Sequence, residues 1–274
     1  MSATASNFRS LLVRDQPLLM PGAHDALSAR MIEAAGFSAY GVGGAALSAT
    51  QLAQPDIGLQ SFGEYRDAVA RIMEGSQLPV MIDGENGFGD LNALKRTVHS
   101  FERLGVAGIA FEDLSFPPVA GTAPSVIARE EMIRKLTAAL AARRNERLFI
   151  IGRTDAAHTL GLTEALARAR VYQDLGIDAV LVPGLADLAA YQQLRDAIRI
   201  PIFAVVVPES PWFAPTVPQL THVGIEAAIY PAAILTRMVL AINAGLDAIR
   251  ATNGAPPTGF DRTTLARLLN RVDD

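Results

Sequence analysis

Asp83, Glu85 and Glu112 are the residues whose types and spacing best suit chemistry. Asp83 and Glu85 are two apart behind the apolar run Leu78 to Ile82. On an extended strand end both side chains would leave by the same face. Glu112 closes the next such run, Ala107 to Phe111. Glycines at 84, 87 and 89 let the backbone approach a ligand or turn sharply. Three carboxylates with water suit a hard divalent cation, Mg²⁺ or Mn²⁺, which takes few protein oxygens and binds substrate oxygens as well. A single acidic residue there would do no more than cap a helix or sit solvated. Three on neighbouring strand ends beside a glycine-rich loop favour a site.

Arg153, in Arg153-Thr154-Asp155, follows a later apolar run. A guanidinium there can grip a substrate carboxylate with two parallel hydrogen bonds, or pair with Asp155 or Glu112, and both can hold together. Gly43-Gly44 offers bare amides to an anion, though glycines also serve plain turns. His24, His99, His158 and His222 lack metal-ligand spacing. Ser48, Thr50 and Ser115 have no neighbouring His–Asp arrangement, which argues against a serine hydrolase. The chain has no cysteine, so thiolate chemistry and disulfides are excluded.

Short runs rich in Val, Ile and Phe alternate with segments of helical period, the pattern of βα units on a parallel sheet. Strands are expected at Leu18–Gly22, Ala39–Gly43, Leu78–Ile82, Ala107–Phe111, Leu148–Gly152, Ala179–Val182, Ile202–Val207 and Ala227–Tyr230. Helices are expected between them, the first from an N-cap at Asp25 to Ala35 and the last of the series over Ala232–Arg250. Eight units in this length fit one closed (β/α)₈ TIM barrel, whose site lies at the C-terminal strand ends. The first βα turn, Pro21-Gly22-Ala23-His24-Asp25, lacks the glycine fingerprint of a dinucleotide-binding sheet. The whole chain, 1–274, reads as one barrel domain with a helical extension over about 254–274. Its helix, Thr263–Val272, has no strand to cover and is expected to pack on a neighbouring subunit. Trp212 and the Pro208–Pro218 stretch are expected to form a loop over the mouth.

Of the 274 residues, 50% are hydrophobic and 19% charged, enough for a large core. The net charge of −4 has no basic run, so nucleic acid is not expected as a partner. No apolar run reaches the roughly 20 residues needed to span a bilayer, and Met1 to Gln16 lacks a signal-peptide core. A cytoplasmic enzyme is the expectation.

At the strand ends the sequence resembles the isocitrate lyase and phosphoenolpyruvate mutase superfamily. The resemblance rests on Pro21-Gly22-Ala23 with Asp25, Gly43-Gly44, Pro55-Asp56 and Leu78-Pro79-Val80. It continues through Asp83-x-Glu85-x-Gly87-Phe88-Gly89, Glu112-Asp113, Arg153-Thr154-Asp155 and Tyr230-Pro231. It implies a homotetramer that exchanges its last helices between paired subunits, and Mg²⁺-dependent chemistry on a 2-oxo acid or its enolate. The family's metal carboxylates fall on Asp83, Glu85 and Glu112. Tyr40, Gly43, Gly44 and Arg153 become the expected substrate-binding set, and Arg153 and Asp56 the expected catalytic residues, Asp56 holding water near the metal.

Four departures narrow the branch. The lyases' cysteine loop after strand 4 is replaced by Leu114-Ser115-Phe116-Pro117-Pro118-Val119-Ala120-Gly121. Glu85 stands where the family usually has Asp, strand 6 ends in Pro183-Gly184 instead of a glutamate, and strand 7 lacks the family's asparagine. The loop is most similar to the oxaloacetate decarboxylase branch. The expected activity is a Mg²⁺-dependent lyase or decarboxylase of a small 2-oxo dicarboxylic acid such as oxaloacetate. The alternatives are a carbon–carbon lyase of a substituted malate or methylisocitrate-like acid, and a barrel that binds a carboxylate or phosphonate without turnover.

Overall fold

The computed structural model describes residues 8–13, 15–115, 125–207, 214–252 and 262–269. The apolar runs become eight parallel strands: β1 (Leu18–Pro21), β2 (Tyr40–Val42), β3 (Val80–Asp83), β4 (Gly108–Glu112), β5 (Phe149–Arg153), β6 (Ala179–Leu181), β7 (Ile202–Val205) and β8 (Ala227–Tyr230). They pair in the order β1-β8-β7-β6-β5-β4-β3-β2. The seam between β1 and β2 is narrowed by a parallel bridge of Gly22 with Gly41, where the Ala23 N–H donates to Gly41 O at 2.8 Å. The result is a nearly closed (β/α)₈ TIM barrel, as the sequence implies. β3 begins at Val80, two residues later than its apolar run, because Pro79 has no N–H to give to a ladder.

Between the strands run α2 (Ala26–Ala34), α4 (Phe62–Glu74), α5 (Leu91–Leu104), α6 (Arg129–Ala142), α8 (Leu162–Asp174), α9 (Leu188–Ala197), α10 (Val217–His222) and α11 (Ala233–Ala251). Asp25 caps α2 by accepting the Ser28 N–H at 2.6 Å. Gly105 closes α5 with a left-handed φ of 86°, a position an L side chain would strain. Short helices α3 (Gly44–Leu47), which continues into a π-helical turn Ser48–Leu52, and α7 (Ala156–Thr159) follow β2 and β5.

Strand alternation divides the core in two. Met20, Met81, Ala110, Ile151, Leu181, Phe203 and Ile229 fill the barrel, while Tyr40, Ile82, Ile109, Ile150 and Val180 face the helices. A short α1 (Phe8–Leu11), not expected from its polar surroundings, closes the N-terminal end. Phe8 is buried there with its ring edge-on to Phe149 at 5.2 Å. α12 (Arg262–Leu269) lies against α2 of its own chain, where Arg30 Nη1 donates to Leu268 O at 3.1 Å. The loop over 116–124, the Pro208–Trp212 part of the mouth loop and the Gly254–Pro257 linker lie outside the described residues. No helix among the described residues is long and apolar enough to cross a membrane.

Candidate active site

Three neighbouring strands end in charge: β3 on Asp83, β4 on Glu112 and β5 on Arg153. Parallel pairing puts Glu112 and Arg153 in register. Arg153 Nη1 lies 2.8 Å from Asp83 Oδ2 and 3.1 Å from Glu112 Oε2. Its Nε and Nη2 take both oxygens of Asp155, at 2.8 and 3.1 Å. Asp155 therefore takes the two-pronged edge of Arg153, one of the pairings the sequence allowed, and Nη1 faces the carboxylate cluster.

Glu85 reaches the cluster by a different route from strand alternation. β3 stops at Asp83, and Glu85 turns through a left-handed φ of 51°. Such a backbone costs a non-glycine residue about 1–3 kcal/mol unless its surroundings fix it. Here they do. The Glu85 N–H donates to Asp83 Oδ1 at 3.0 Å, and the Glu85 carbonyl accepts from the Glu112 N–H at 3.0 Å. Lys135 Nζ on α6 donates to Asn86 O at 2.9 Å, and Thr97 Oγ1 on α5 to Gly87 O at 3.2 Å. Phe88, also left-handed at φ 60°, packs edge-on to Phe62.

The three carboxylates each place an oxygen within 4.8 Å of the others. Glu85 also lies against Gly44, where a Cβ would overlap Glu85 Oε1 and come within 3.3 Å of Asp56 Oδ2. Burial pushes the Glu85 carboxyl well above the usual range, and Asp83 and Glu112 add to it. Glu112 is pushed up to about 8 by burial, with Arg153 opposing and Asp83 adding. Asp56 is raised by burial and by Asp83. Burial would lower Arg153, but Asp83, Glu112 and Asp155 hold it well above its ordinary value. Four carboxyls thus crowd one guanidinium already shared with Asp155. Only protons or a cation can relieve that excess, and an all-oxygen donor set fits a hard divalent ion.

Asp56, Asp83, Arg153, Gly43 and Gly44 line a cavity of about 310 Å³ at the C-terminal strand ends. Tyr40 does not join them. It is fully buried in the layer facing the helices, because Gly41 of β2 and Gly43 just beyond the strand are the residues that point inward. His24 is buried with its Nε2 3.3 Å from Met238 Sδ on α11 and does not line the cavity.

Residues 8–250 match the family model described as phosphoenolpyruvate phosphomutase. The chain belongs to that family. Among its relatives is an oxaloacetate decarboxylase of Rhodopseudomonas palustris, 32% identical over 96% of this chain and 90% of the relative. Another, named probable 2-methylisocitrate lyase 2, from Corynebacterium glutamicum, is 35% identical over 83% of this chain and 74% of its own. A solved phosphonopyruvate hydrolase in complex with oxalate and Mg²⁺ superposes with a TM-score of 0.87 at 25% identity, covering 98% of this chain and 95% of that one. The carbon–carbon lyase class expected from the sequence agrees with the lyase and decarboxylase names of these family members.

Behind this family member's charged strand ends lies a support that sequence reading missed. Asp113, with no exposed surface, accepts the Asp155 N–H at 2.9 Å on Oδ1. Its Oδ2 accepts from Arg168 Nη1 at 2.9 Å and Tyr172 Oη at 3.0 Å. Arg168 and Tyr172 share the buried face of α8 with Ala165 and Ala169. An arginine inside that apolar stripe was the readable signal.

Proposed function

We propose that this chain is a divalent-metal-dependent carbon–carbon lyase that decarboxylates a small 2-oxo dicarboxylic acid of the oxaloacetate type. The observation that carries this reading is the convergence of Asp83, Glu85 and Glu112 within 4.8 Å beside a cavity lined by Arg153 and two bare glycines. The names of the decarboxylase relative and of the solved relative with oxalate and Mg²⁺ support it.

Asp83, Glu85 and Glu112 would hold Mg²⁺, with Mn²⁺ the second candidate. Bound there, the cation supplies positive charge that stabilises negative charge growing on the 2-oxo oxygen. Arg153, fixed by Asp155, and the Gly43 and Gly44 amides orient the carboxylate next to the oxo group. Asp56 holds water at the cavity edge. Breaking the bond to the far carboxylate releases CO₂ and leaves its electron pair as an enolate, which water protonates at carbon. No His or Lys side chain lines the cavity among the described residues. That favours decarboxylation, which needs no side-chain acid for bond breaking, over aldol-type cleavage.

The homotetramer with exchanged helices belongs to this proposal. α11 buries no side chain within the chain and exposes Val239, Leu240, Ile242, Leu246 and Ile249. Light scattering of the purified protein tests it, a monomer being the contrary result.

The activity test is NADH-coupled detection of pyruvate from oxaloacetate, corrected for decay by free metal. Turnover that persists through chelation, or in Asp83→Ala, overturns the proposal.

A further inference from the structure

The barrel mouth is split into two unlike halves. β3, β4 and β5 end in Asp83, Glu112 and Arg153. β6, β7 and β8 instead turn Leu181, Val205 and Ile229 into the cavity, with Pro183 and Pro231 beyond them and Leu235 arriving from α11. Among the described residues Arg153 is the only cationic side chain lining the cavity, and its nitrogens face Asp83, Glu112 and Asp155 on the charged half. Among the described residues, no polar side chain of the β6–β8 wall lines the cavity to hold a second carboxylate or a hydroxyl.

A 2-oxo acid whose carboxylate and oxo oxygens sit in the charged half must point its third carbon at that wall. A fixed carboxylate there would lose hydration without gaining a partner, whereas an alkyl group would gain by burial. The carboxylate that is lost also borders this wall, but it departs as neutral CO₂, so its charge does not have to be held.

We infer that the Leu181–Val205–Ile229 wall is an alkyl subsite, and that the substrate is a 2-oxo diacid carrying an alkyl group on its third carbon. The inference rests on the decarboxylase reading above and adds the substrate class to it. In the step, the bond from the third carbon to its carboxylate breaks, the electron pair stays on that carbon as the enolate, CO₂ leaves and a water proton adds. The product is a 2-oxo monoacid that keeps the alkyl chain in the apolar half.

The test uses the Mg²⁺-loaded protein and a series of ligands that cannot be cleaved in this way: pyruvate, 2-oxobutyrate and 2-oxopentanoate. Their Kd is measured by calorimetry, with oxalate as the ligand that probes the charged half alone. Each added methylene is expected to tighten binding about fourfold. Val205→Asn is expected to remove most of that increment, and Leu181→Ala takes its place where the asparagine variant does not fold. In turnover, 3-methyl-oxaloacetate is expected to exceed oxaloacetate in kcat/KM by a similar factor. A flat series with pyruvate and oxalate still binding, or an increment that survives the wall variants, overturns the alkyl subsite and leaves the decarboxylase standing. Failure of oxalate and every 2-oxo acid to bind in the presence of Mg²⁺ overturns both.

Discussion

Lys135 Nζ donates to the backbone oxygen of Asn86 at 2.9 Å, tying α6 to the turn that carries Glu85. The lysine is buried, with Glu131 one helical turn away. Burial lowers its ammonium from the ordinary value while Glu131 and Glu112 oppose that shift. The amine serves a carbonyl that neither a strand nor a helix ladder could satisfy, in a turn with two left-handed non-glycine residues. The sequence supplies a candidate metal-site carboxylate on an irregular turn, and α6, the third element after that turn, supplies the strut.

Lys135→Met keeps most of the apolar stem and removes the ammonium. It leaves Asn86 O unsatisfied, at a cost of about 1–3 kcal/mol, and frees the Glu85 turn to relax. The expected outcome is a Mg²⁺ or Mn²⁺ affinity lower by roughly 10–100-fold, the range for partners that orient metal ligands. Manganese binding followed by electron paramagnetic resonance reads this without reference to turnover. A lower thermal midpoint with unchanged affinity would make Lys135 a purely structural residue.

Gly44→Ala tests the contact between the start of α3 and the Glu85 carboxylate. The new methyl overlaps Glu85 Oε1, and the side chain has Asp56 behind it. We expect Glu85 to be expelled from the cluster and Mn²⁺ affinity to fall at least as far as in Lys135→Met. A Cβ on Gly43 meets nothing within 4 Å, so Gly43→Ala is expected to cost less metal affinity. Equal losses would mean that the Glu85–Gly44 contact does not set the site.

The strands and the three charged ends were legible because each depends on a local pattern: an apolar run, then a charge one residue beyond. Gly41 and Asp83 also carried the period-two information that sends Tyr40 outward. The resemblance put Tyr40 in the substrate-binding set, whereas the alternation buries its side chain in the layer facing the helices. Glu85 was assigned to the right cluster for the wrong local reason. Its return depends on a left-handed turn held by Lys135 and Thr97, residues far away in sequence. Phe8 was not legible either, since its burial exists only once the barrel has formed beneath it.

Without metal, Glu112 should make stability depend on pH. Its folded value of about 8 lies above the ordinary 4.5. Between those values the folded chain binds more protons than the unfolded chain, so stability falls as pH rises through the window. The thermal midpoint of chelated protein is expected to drop from about pH 5 to about pH 8, and Mg²⁺ to restore more at the higher pH. Glu112→Gln, which cannot ionise, should flatten the slope. A midpoint that rises across this window contradicts the assignment.

The Asp113 network predicts a coupling between a buried helix residue and the charged strand ends. Asp113 accepts from Asp155, Arg168 and Tyr172 at once, and Asp155 in turn fixes Arg153. Asp113→Asn removes the negative charge facing Arg168, which keeps only Glu164 at 2.9 Å. Breaking a buried pair from one side costs about 3–5 kcal/mol, and the surviving partner places this loss near the lower end. For a chain of this length that is roughly 10 °C in Tm. Arg168→Met alone should lose a comparable amount, because it strands Asp113 instead. The double variant should then lose clearly less than the two together, since each single change already breaks the same pair. Additive losses would show that Asp113 acts on Asp155 without Arg168. Oxalate affinity in the Mg²⁺-loaded Asp113→Asn protein separates the remaining roles: it falls when Asp113 positions Arg153 through Asp155, and stays unchanged when the network only holds α8 to the barrel.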